Sequence, residues 1–125
     1  MVVLDSWALL AYLRDEPAAP RVEEAWLGEG AAICSLNLGE ALYIQTRERG
    51  ARDAKSGIES ARARLTVVDP DWPLIAAAAG IKARGGLSFA DAFCLATAMR
   101  LDAPLWTGDP EILALDTEVE LVDLR

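Results

Sequence analysis

The chain has 125 residues, 53% of them hydrophobic, and a net charge of −8. That length and apolar content predict one domain over residues 1–125 with a single core, and argue against a disordered segment. It contains no histidine, so a Ser-His-Asp triad, a Cys-His pair and a Cys/His zinc site are excluded. Catalysis would have to run on carboxylates, hydroxyls or a metal held by oxygen.

Val2 to Asp5 is a short β-branched run, read as a strand, which gives way at Ser6 to the helical pattern WALLAYL. Ala18 to Leu27 reads as a second helix, ended by Gly28 and Gly30. AAIC (31–34) is a buried strand, after which Ser35 is expected to cap a helix reaching Arg49, with Gly50 as its stop. A polar helix follows from Ala51 to about Ala63. LTVV (65–68) is the third strand, and Asp69-Pro70-Asp71 opens a helix that stops at Gly85 and Gly86. Ser88 to Leu101 is the next helix, PLWT (104–107) the fourth strand, Glu111 to Leu115 a short helix, and VELVDL (119–124) the fifth strand.

Nearly continuous apolar strands separated by helical segments call for parallel pairing and a sheet covered on both faces. The expected fold class is therefore α/β, a three-layer α/β/α sandwich with a five-stranded parallel sheet. In such sheets ligands bind beyond the carboxyl ends of the strands, where strand order reverses.

The opening MVVLDSWALL lacks the basic start and cleavage site of a signal peptide, and no apolar run approaches a membrane span, which predicts a cytoplasmic protein. Cys34 and Cys94 each sit in an apolar segment and are expected to be reduced core residues. The −8 charge opposes nonspecific nucleic-acid binding and favours a basic partner or a bound cation. From Arg47 to Arg64, however, six basic residues face three acids, a local +3 that leaves −11 elsewhere. The plain reading is a solvated helical hairpin; the alternative is a patch that guides a phosphate backbone.

Four acids stand out. Asp5 ends the first strand; Glu40 lies on an apolar stripe between Leu36 and Ile44; Asp91 sits one turn into its helix; Asp109 follows the fourth strand directly. Helices antiparallel to a parallel sheet begin at its carboxyl edge, so all four belong near one rim. Taken singly, Asp5 or Ser6 also reads as a cap of the first helix, Ser88-Phe89-Ala90-Asp91 as a capping box with Asp in place of Glu, and Asp109 before Pro110 as an N-cap, whereas Glu40 is too deep to cap and implies a buried ion pair or a cation site. Like charges about 4 Å apart repel by about 4 kcal/mol at an effective dielectric of 20. With lysines only at 55 and 82, outside these segments, a divalent metal is the economical counterion. Mg²⁺ or Mn²⁺ suits such oxygen ligands and phosphodiester hydrolysis. Thr107 is placed to orient a water or a phosphate oxygen, or is an ordinary β-branched strand residue.

LDSWALLAYL around Asp5, SLNLGEALY around Glu40, LSFADAFCLATAM around Asp91 and LWTGDPE around Asp109 resemble the acidic motifs of PIN-domain ribonucleases, most closely the small VapC-type toxins. The resemblance spans nearly the whole chain. It implies an endoribonuclease using Mg²⁺ or Mn²⁺ and metal-activated water, with Asp5, Glu40, Asp91 and Asp109 as the metal-binding acids and Thr107 at the family's hydroxyl position. It also implies an RNA substrate, a homodimer and a basic VapB-like antitoxin, although free-standing PIN nucleases share the same acids. One departure is Trp7, where many relatives carry Ser, Thr or Asn; a polar role there would pass to Ser6. The rival reading is a Mg²⁺-binding phosphoacceptor receiver-like signalling domain. It would use Asp69 as acceptor but needs a lysine near the fifth strand, and none follows Lys82. A dehalogenase-like phosphatase would need an acid where Trp7 stands.

Overall fold

In the computed structural model, which describes residues 1–125, five strands alternate with seven helices. β1 (Val2–Leu4) leads into α1 (Ser6–Leu13) and α2 (Ala19–Leu27), and β2 (Ala31–Cys34) into α3 (Ser35–Arg49) and α4 (Ala51–Arg62). β3 (Thr66–Val68) is followed by α5 (Trp72–Ala83) and α6 (Phe89–Leu101), and β4 (Leu105–Thr107) by α7 (Pro110–Leu113) and β5 (Leu121–Asp123). Every pairing is parallel, in the order β3-β2-β1-β4-β5. Val3 lies opposite both Ala32 and Leu105, which makes β1 the centre of the sheet. The chain steps outward from β1 to β3 and then returns to the far side of β1. Strand order therefore reverses between β1 and β4, and a crevice is expected there at the carboxyl ends.

Alternation along the strands divides the core. Val2, Leu4, Ala31 and Ile33 pack with Leu9 of α1, Val22 and Trp26 of α2, Leu38 of α3 and Ile58 of α4. Their neighbours Val3, Ala32 and Leu105 face the other way, against Cys94, Leu95 and Ala98 of α6 and Ile112 of α7. Cys34 joins Leu74 and Ala78 of α5 with Phe93 of α6. Both sheet faces are thus covered, which is why these strands read as unbroken apolar runs. Leu9 and Ile33 are fully buried, each contributing about 2 kcal/mol relative to exposure. Both cysteines are free and buried, as expected.

The helix starts need one correction. Ser35 does not cap α3: it is the first helical residue, and Cys34 holds the cap position with no side-chain bond. Buried cross-strand packing fixes Cys34 in the sheet, so the strand runs directly into the helix. Strands 3, 4 and 5 are also shorter than expected, because pairing stops at Thr66, Leu105 and Leu121 while Leu65 and Val119 stay buried outside the ladder. No helix is long and apolar enough to cross a membrane.

Candidate active site

Asp5 leaves β1 in extended conformation and caps α1, its Oδ1 accepting the Ala8 N–H at 2.8 Å. Its Oδ2 accepts the Thr107 hydroxyl, and Thr107 Oγ1 in turn accepts the Asp109 N–H at 2.9 Å. One hydroxyl therefore ties the tips of β1 and β4 together across the point where strand order reverses. Asp5 is only 3% exposed, and burial pushes its carboxyl up to about 7 against the pull of the Thr107 and Ala8 hydrogen bonds. The negative charges of Asp91 and Asp109 push it further the same way.

Asp91 occupies the first turn of α6, where Ser88 caps by accepting its N–H at 3.1 Å. Half-buried, it is raised chiefly by desolvation and then by Asp109 and Glu40, with Ser88 opposing. Glu40, also half-buried, accepts the Ser6 hydroxyl, which joins α3 to α1. Asp109 caps α7 through the Glu111 N–H at 2.8 Å. The capping readings hold, with Asp5 and Asp109 as caps of α1 and α7 and Ser88 as the cap of α6 three residues before Asp91. None of the chain's salt bridges involves any of these four acids. The buried ion pair considered for Glu40 is absent.

Asp91 lies within electrostatic reach of Asp5, Asp109 and Glu40, yet no three acidic or cysteine side chains come close enough as they stand to enclose an ion. Coulombic coupling reaches farther than ligation. A donor set of hard oxygens without imidazole or an exposed thiol fits Mg²⁺ or Mn²⁺, which keep several waters and need only one or two carboxylates directly. It does not fit an all-protein cage.

The contacts of three neighbours escape a reading of the sequence alone. Asn37 of α3 is 1% exposed and donates through Nδ2 to the Ala90 carbonyl at 2.9 Å; its only signal is a polar residue between Leu36 and Leu38, one turn before Glu40. The Trp7 ring lies against Gly108, where an added Cβ would come within 2.3 Å of it. Trp7 therefore packs beneath the Asp109 loop, and the polar contact falls to Ser6. Cys94 donates to the Asp91 carbonyl at 3.0 Å, and burial, followed by the charges of Asp5, Asp91 and Glu40, raises its thiol well above the ordinary range. Asp69 lies exposed beyond β3 at the sheet edge, which leaves the receiver-like reading without a central acceptor.

The PIN domain family model matches residues 2–118. The chain belongs to the PIN domain family. Its fold is shared with the sarcin-ricin loop cleaving toxin VapC20 of Mycobacterium tuberculosis, at a TM-score of 0.76 and 18% identity over 95% of this chain and 98% of that one. It is shared too with a chain of the DNA-bound VapBC complex from Salmonella typhimurium, at 0.81 and 19% over the full length of both. A chain of the promoter-bound VapBC2 complex from Rickettsia felis matches at 0.80 and 14%, covering 98% of each. No curated protein sequence matches this PIN domain.

Proposed function

We propose that this PIN domain is a Mg²⁺- or Mn²⁺-dependent endoribonuclease, the toxin of a VapBC-type toxin–antitoxin pair. One observation carries the reading: acids from four separate segments, Asp5, Glu40 and Asp109 around Asp91, come within electrostatic reach near the strand-order reversal, and none of them is paired in a salt bridge. Asp5, Glu40, Asp91 and Asp109 would hold a divalent ion, which when bound would neutralise phosphate oxygens and make a water more acidic. The protein's part is positional. Thr107 and the Ala8 N–H orient Asp5, Ser6 orients Glu40, and the Thr107 relay fixes the loop that carries Asp109.

RNA and a VapB-like antitoxin enter by likeness to VapC20 and the two VapBC complexes. The −8 charge suits a basic antitoxin segment. Self-association, as a homodimer, has a candidate face on α5 and α6, where Trp72 and Met99 are 73% and 52% exposed.

A fluorogenic RNA tests the reading. Cleavage is expected with Mn²⁺, none with EDTA, and a loss of at least about 100-fold for Asp91→Asn with an unchanged circular dichroism spectrum. Full-rate cleavage by that variant removes Asp91 from the site.

A further inference from the structure

The structure assigns to Asn37 a task beyond packing: we propose that it is a positioning residue, setting the Glu40 turn of α3 against the Asp91 turn of α6 for cation binding. The inference rests on the metal-dependent reading above. Asn37 and Glu40 are three residues apart and share one side of α3. The Asn37 carboxamide reaches across 53 residues of sequence to donate to the carbonyl of Ala90, the residue before Asp91. From within α6 the Cys94 thiol holds the next carbonyl, that of Asp91 itself. Glu40 is held from α1 by Ser6, so Asn37 is the direct polar link between the helices that carry Glu40 and Asp91.

Stability alone does not explain an asparagine here. Its Oδ1 is buried and accepts no hydrogen bond, and such an oxygen forfeits solvation that a leucine of similar shape would not need. The amide orientation is fixed, because only Nδ2 can donate to the Ala90 carbonyl. A position whose polar group is costly to the empty fold, yet bridges two acid-bearing turns, is what a site needs when carboxylate spacing must match an ion.

The test separates metal binding from folding in the full chain. Mn²⁺ affinity is measured by the electron paramagnetic resonance signal of free Mn²⁺, and metal-free stability by urea unfolding. Asn37→Leu is expected to unfold at the same or a higher urea midpoint than wild type, yet to bind Mn²⁺ about 10- to 100-fold more weakly. Wild-type affinity in that variant overturns the assignment, as does a loss of affinity matched by a loss of metal-free stability. Should Asn37→Leu not fold, Asn37→Met, which is unbranched, similar in bulk and likewise unable to donate to the Ala90 carbonyl, is read by the same two criteria. Absence of Mn²⁺ binding by the wild-type protein overturns the metal-dependent reading itself, whereas undiminished binding by the variant overturns only the role of Asn37.

Discussion

Asp5 couples the site to pH. Its carboxyl titrates near 7 in the metal-free fold and near 3.8 when unfolded, so between those values the native state holds the extra proton. Stability therefore falls as pH rises through that window, by up to about 4 kcal/mol for a shift of this size. The metal-free protein is expected to be more stable at pH 5 than at pH 8 in urea titrations. Asp5→Asn should flatten the slope and stabilise the protein at pH 8; an unchanged slope places the titration elsewhere. Gly108 is constrained differently. Gly108→Ala drives a methyl into the Trp7 ring and is expected to cost about 1–3 kcal/mol. Much of that loss should return in the double variant Trp7→Leu/Gly108→Ala, as a double-mutant cycle in urea would record.

At the level of elements, α6 separates two roles that one short motif mixes. Ser88 is its cap and Asp91 its acid. Ser88→Ala should therefore lower the stability of the fold by about 1 kcal/mol with or without Mn²⁺. Asp91→Asn should leave metal-free stability equal or higher while abolishing the stabilisation that Mn²⁺ confers. Urea midpoints for both variants, with Mn²⁺ and with EDTA, check this; an equal response to Mn²⁺ in both contradicts the division. The helices and strands were legible because Gly28, Gly50 and the pair Gly85-Gly86 punctuate strong apolar patterns, and because buried strands read as apolar runs. The four acids stand out in the sequence because each follows a strand or interrupts a buried stripe, and the structure brings Asp5, Glu40 and Asp109 within electrostatic reach of Asp91. What could not be read depends on pairs far apart in sequence: Thr107 on Asp5, Asn37 on Ala90, Trp7 on Gly108. Local pattern shows that Asn37 is polar but not what it meets. Capping at Ser35 failed for a related reason, since the sheet holds Cys34 in extended conformation and leaves no separate cap residue.

For the molecule as a whole, a net charge of −8 is divided between an acidic edge and an exposed basic hairpin, α3–α4, where Arg47, Arg49, Arg52 and Lys55 lie outside any salt bridge. No salt bridge neutralises Asp5, Glu40, Asp91 or Asp109, so a divalent ion that binds them only in the folded form should stabilise the fold. At 100 times its dissociation constant the gain is about 2.7 kcal/mol. In a chain of this size that corresponds to a rise in Tm of roughly 10 °C. Protons and a metal held at the proposed site would compete for the same carboxylates, and Asp5 is half-protonated near pH 7, so the rise should be larger at pH 8 than at pH 6. Thermal unfolding with Mn²⁺ at both pH values, beside a control matched in ionic strength with KCl, isolates the effect. General screening would give a pH-independent shift that KCl reproduces, whereas ligation by the acidic edge gives one that KCl cannot and that Asp5→Asn diminishes.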